Sequence, residues 1–273
     1  MQELESHRRL PGAERLSLLS ASVLLAYAVA RFIDLPGLQL AAQLPGVYLA
    51  VEIDVETIIA FLVAGLTASG TAWLVRDHPG LGRRSPLEHL LLPALTAWAV
   101  SLPLSQMAIQ PFWWLAFSLS GLLLILVMVA EYITVDYQDD RRPLAAAGLT
   151  AVSFTLFLVL AAGLRFAGLR LFQLLPAVAL ACGLLSLRAL RLRFPQRWSP
   201  FEAGLVLLVT VQLAAGLHYW PVTPVSFGLA LLGPAYALTA LLGNLAEGEP
   251  LRQALLEPVV VLLIILGAAV WMR

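Results

Sequence analysis

The chain has 273 residues, of which 60% are hydrophobic and 12% charged, with a mean hydropathy of +0.86 and a formal net charge of zero. Those values lie outside the habits of water-soluble domains and leave no nucleic-acid footprint, so the chain reads as a polytopic membrane protein. All seventeen basic side chains are arginine, which excludes lysine Schiff-base chemistry, and a single cysteine, Cys182, excludes an intrachain disulfide, a thiolate cluster and a CxxC redox pair.

A hydrocarbon core of roughly 30 Å asks for about 20 mostly apolar residues per helix. A charged segment, residues 1–15, precedes the first such run at 16–33. The triplet Ala28-Val29-Ala30 also suits a signal-peptide cleavage site. Retention is the reading adopted, because Arg31-Phe32 follows this run as Arg165-Phe166 follows the fifth. The loop from Asp34 to Ile53 holds two Leu-Pro-Gly turns and is expected to lie in the outer headgroup layer. Span two, 54–75, carries Gly65, Thr67, Ser69 and Gly70, small residues that permit close helix approach.

Span three, 86–107, opens on Ser85-Pro86-Leu87-Glu88, and span seven, 203–220, follows Ser199-Pro200-Phe201-Glu202. Serine at the N-cap, proline at the first helical position and glutamate at the third spell a capping box each time. Span four covers 112–134, span five 144–164, span six 171–190, span eight 224–244 and span nine 254–272. Pro93, Pro103, Pro176 and Pro234 fall inside spans and should kink them. Gln173 and Gln212 are the candidates for polar groups deep in the bilayer, with no aspartate, glutamate or arginine expected at mid-membrane.

Nine spans with a cytoplasmic N-terminus put thirteen arginines inside and four outside, and the C-terminus external. The expected location is a bacterial cytoplasmic (inner) membrane. The repeated Ser-Pro-x-Glu and Arg-Phe elements suggest two parallel four-helix repeats, 16–134 and 135–246, related by an axis along the membrane normal, with 247–273 as an added ninth span. The fold class is therefore an all-α polytopic membrane protein of about nine helices.

Two places could bind something. On the outer side, Arg31, Arg165, Trp113, Trp114, His218 and Trp220 make a candidate site for an anionic lipid or solute head, set against the plainer reading of an aromatic belt with snorkelling arginines. On the inner side, "EYITVDYQDDRR" supplies Asp136, Asp139 and Asp140 as alternative metal ligands, set against acidic residues that favour the start of span five. His89 and His218 lie near opposite ends of their spans, roughly 20 Å apart in level, so they do not share a haem, and no cofactor is expected. The chain reads first as a lipid- or partner-binding membrane component without a conventional catalytic site. Its expected partners are membrane lipid and other membrane subunits or a second copy. The alternatives are a transporter or lipid-translocating protein built from the repeats, and a membrane enzyme acting on a phosphorylated lipid at the cytoplasmic face.

Overall fold

The computed structural model describes residues 11–30, 38–44, 47–53, 55–82, 85–195 and 197–272. Among the described residues there are nine α-helices, in chain order α1 (Ala13–Ala30), α2 (Val55–Arg76), α3 (Leu87–Gln106), α4 (Pro111–Thr134), α5 (Arg142–Phe166), α6 (Leu171–Arg193), α7 (Pro200–His218), α8 (Pro224–Ala246) and α9 (Leu251–Trp271). Each coincides with one expected span to within about three residues. Seven of them, α2 and α4 to α9, are long and apolar enough to cross a bilayer, which makes this a membrane-embedded, multi-pass protein.

The expected all-α membrane fold is observed, with one addition between α1 and α2. Strands β1 (Leu38–Leu44) and β2 (Val47–Ile53) pair antiparallel over seven residues, from Leu38 opposite Ile53 to Leu44 opposite Val47. Two runs of strand length flanking the dipeptide Pro45-Gly46 are a hairpin signal that a purely hydropathic reading passes over.

The capping boxes do not close. At α3 it is Pro86 that occupies the cap, Ser85 Oγ accepts from the Leu87 N–H at 3.4 Å, and Glu88 turns to His89 at 3.6 Å. At α7 Pro200 is first in the helix as expected, but the Ser199 hydroxyl makes no cap bond and Glu202 accepts from Arg197 at 2.5 Å. A charged partner competes better for a carboxylate than a neutral backbone N–H does. The boundaries were legible; the bonds were not.

The chain divides into two compact units, residues 1–139 and 140–273. In the first, Leu19, Val23 and Tyr27 of α1 pack with Val63 and Leu74 of α2, Ala97 of α3, and Leu124, Met128 and Tyr132 of α4. Gly70 admits the Leu19 side chain where any Cβ would collide with it, whereas Gly65 faces open space, so only one of the two expected close approaches is made. The Tyr27 hydroxyl donates to the Ala97 carbonyl. The first helix is thus an integral part of this core.

In the second unit the helices run antiparallel in turn. The Arg142 guanidinium donates to the Leu192 carbonyl and Arg193 pairs with Glu247, bringing the start of α5, the end of α6 and the end of α8 together. At the opposite end Thr223 caps α8 through the Ser226 N–H at 3.2 Å and donates to the Met272 carbonyl at 3.1 Å. Leu149, Phe157, Leu160, Leu174, Val178, Val206, Phe227 and Leu231 are buried in this unit. Cys182 is buried as well, as a small core residue 3.8 Å from Ser186 Oγ.

Candidate functional site

The second unit contains a cleft of about 360 Å³, within the usual range of ligand pockets. It is lined by one face each of α5 (Ala146, Ala147, Thr150, Phe154) and α8 (Tyr236, Thr239, Ala240, Asn244), by the last turn of α6, and by Glu257 of α9.

Its polar wall is traceable to a single residue, Pro258. Proline inside a helix removes one N–H and leaves the carbonyl four residues earlier without its intrahelical donor, here Ala254. Asn244 Nδ2 donates to that carbonyl at 3.0 Å. The amide oxygen then faces Arg193, whose Nη2 donates to it at 2.8 Å. Arg193 also grips Glu247 with two bonds of 2.5 Å, from Nε and Nη2. Gly243 leaves room beside it, since a Cβ there would displace the guanidinium from its present place. One turn further into the membrane, the Tyr236 hydroxyl donates to Glu257 Oε1 at 2.7 Å, and the Tyr236 ring meets Phe154 edge-on at 5.1 Å. The hydrogen bond from Arg193, aided by its charge, holds the Glu247 carboxyl below its ordinary value against a smaller opposing effect of burial.

None of this wall was singled out from the sequence. Glu257 lies six residues into α9, about 9 Å along the helix, short of the middle of the span, where no carboxylate was expected. Gln173, expected deep, is instead in the first turn of α6, where its side chain accepts from the Arg170 N–H at 3.3 Å, and Gln212 is exposed. A signal existed: Glu-Pro within an apolar run, opposite an Asn and a Tyr on the preceding span.

The first unit has a polar core of its own. His89 Nδ1 lies 2.8 Å from Glu131 Oε2, and the two residues are 5% and 0% exposed. Glu88 approaches the other ring nitrogen, and Thr134 donates to the Glu131 carbonyl at 2.9 Å. His78 is buried with its ring 4.5 Å from that of Tyr132.

Arg165 is engaged by the protein itself: Nη1 and Nη2 donate to the carbonyls of His218 and Trp220 at 2.8 and 3.0 Å, and the guanidinium lies 5.5 Å from the Phe227 ring. It therefore serves the last carbonyl of α7, His218, which has no helical donor, and ties down the Trp220 carbonyl in the turn that follows. Arg165, His218 and Trp220 do meet, all in the second unit. Trp113 and Trp114 belong to the first unit; Trp113 is buried and donates to the Leu104 carbonyl at 3.1 Å, while Trp114 is exposed. Arg31 lies outside the described residues. Of the inner aspartates, Asp136 and Asp139 are buried and Asp140 is exposed, with Asp136 Oδ1 accepting from the Gln138 N–H at 2.9 Å. Among the described residues no three His, Cys, Asp or Glu side chains converge as a metal site would require.

The family described as "Protein of unknown function (DUF5656)" matches residues 35–272, most of the chain. No curated protein and no solved structure matches it.

Proposed function

The chain belongs to the DUF5656 family, and we propose that it is a membrane component that binds an amphiphilic ligand in the cleft of its second unit. The observation that carries this reading is the cleft itself. It is a pocket-sized space between lipid-facing helices, with alanines along one side and a hydrogen-bonded charged wall along the other. Leu256, Val260, Leu263 and Ile264 of α9 are exposed next to Glu257, as residues in contact with acyl chains would be. A ligand can therefore enter sideways from the bilayer. On this reading the membrane is a bacterial inner membrane, this end of the helices faces the cytoplasm and the C-terminus is external, an orientation that the arginine distribution supports.

Mass spectrometry of the lipids carried through purification tests this. A defined species should be retained by the native chain and lost in Ala147→Trp, which fills the cleft from α5. Bulk lipid alone, equal in both, leaves only a scaffold or partner-binding role.

A second reading, transport, has one specific support. In the first unit the packed pairs are α1–α2, α2–α3, α3–α4, α1–α4 and the diagonal α2–α4. In the second they are α5–α6, α6–α7, α7–α8, α5–α8 and the diagonal α6–α8, the same pattern advanced by four helices, with α9 added against α8. This agrees with parallel four-helix repeats.

A further inference from the structure

We infer that the ligand of this cleft carries an ammonium group, held between the Glu257 carboxylate and the rings of Phe154 and Tyr236. The inference rests on the cleft being a binding site at all, and adds the chemistry that it selects.

Most donors of the polar wall are already committed, the least engaged being Arg193 Nη1, which donates to the Ala240 carbonyl at 3.5 Å. The Thr150 and Thr239 hydroxyls donate back to the Ala146 and Ala235 carbonyls at 2.8 and 2.7 Å. Tyr236 donates to Glu257, and Asn244 donates to Ala254. Threonine and tyrosine oxygens keep lone pairs after donating, and Glu257 keeps Oε2, so what remains for a ligand is mostly acceptors. The charge count agrees. Arg193 lines the cleft together with Glu257 but is bonded twice to Glu247, so carboxylates outnumber the guanidinium there by two to one. Arg252, five residues back on α9, is rotated about 140° away from it. A phosphate or carboxylate head would meet like charge and find few free donors, whereas an ammonium finds a carboxylate and lone pairs.

The aromatic pair points the same way by a separate route. Cations are attracted to ring faces, and the Phe154 and Tyr236 rings sit edge to face at 5.1 Å in the same lining as Glu257. Carboxylate plus two aromatics is the combination that recognises substituted ammonium groups. Exposed apolar residues of α9 beside Glu257 give an attached alkyl chain somewhere to lie.

The test uses the full chain in an uncharged maltoside detergent, with dodecyltrimethylammonium bearing a diazirine in its alkyl chain as a photoreactive probe. Labelling should saturate, map to α9 and the cleft-lining parts of α5 and α8, and be competed by unlabelled dodecyltrimethylammonium but not by dodecyl phosphate. Glu257→Gln should weaken apparent affinity at least tenfold, and Phe154→Leu, which keeps apolar bulk without a ring, severalfold. If Glu257→Gln does not fold, Phe154→Leu carries the decision. Equal or better competition by dodecyl phosphate, or unchanged affinity in the folded variants, overturns the ammonium assignment while leaving the cleft as a site. Labelling that neither saturates nor falls in Ala147→Trp removes the site as well.

Discussion

The chain of bonds from Pro258 to Arg193 makes a quantitative demand. Asn244 is 6% exposed and does two things at once, donating to the Ala254 carbonyl and accepting from Arg193. Asn244→Ala leaves a buried carbonyl with no donor, which costs about 1–3 kcal/mol. Arg193 keeps Glu247 and its exposed edge, so its loss should be the smaller part. The carbonyl is orphaned only because residue 258 is proline. Pro258→Ala restores an N–H four residues on, and in that background Ala254 has a helical donor whether or not Asn244 is present. Asn244→Ala should therefore cost about 1–2 kcal/mol less in the Pro258→Ala chain than in the native one, a coupling of the size seen for directly interacting groups. The cavity that alanine leaves at the buried Pro258 site is common to both arms and cancels. Reversible unfolding of the four chains in mixed micelles, at one detergent composition, measures the cycle. An Asn244→Ala cost that is the same in both backgrounds would refute the proposed origin of the polar wall.

Three further outcomes follow from other parts of the chain. Because the Glu247 carboxyl is held below its ordinary 4.5 by Arg193, its contribution to stability is complete above that value and is lost as pH falls through the depressed one. The melting temperature of the native chain should thus decline more steeply below about pH 4.5 than that of Glu247→Gln. In the first unit, Glu131→Ala takes the nearer partner from buried His89, leaving Glu88 at 3.6 Å, and should destabilise by about 1–3 kcal/mol, whereas the double change His89→Leu with Glu131→Leu should cost less; equal losses in a chemical unfolding titration would show that the pair itself is immaterial. Reporter fusions should read external after Arg273 and cytoplasmic between Gly80 and Gly82, and an internal C-terminus would require one span more or fewer.

The number of helices and their limits could be read from the sequence because both are local properties in a bilayer. Each backbone group must be satisfied within its own segment, so an apolar run of some twenty residues ending at Pro, Gly or Arg fixes a helix without reference to its neighbours. The pairing of 38–44 with 47–53 is equally local, but it turns on strand length and turn residues rather than on hydropathy, so the reading of this segment as a loop missed it. What only the tertiary structure decided is which side chains meet. The spans are apolar nearly all round, so no polar face in the sequence tells how each is rotated about its axis. That rotation alone decides whether Glu257 turns toward Tyr236 or to lipid, and whether His89 finds Glu131. Arg165 and Arg193 illustrate the point at opposite ends of the second unit, since both sit near the end of a helix in an apolar setting. One closes off the last carbonyl of α7, and the other lines a cleft. Between such outcomes the deciding term is how small residues such as Gly243 let two helices approach, and that is set by packing between segments far apart in the chain.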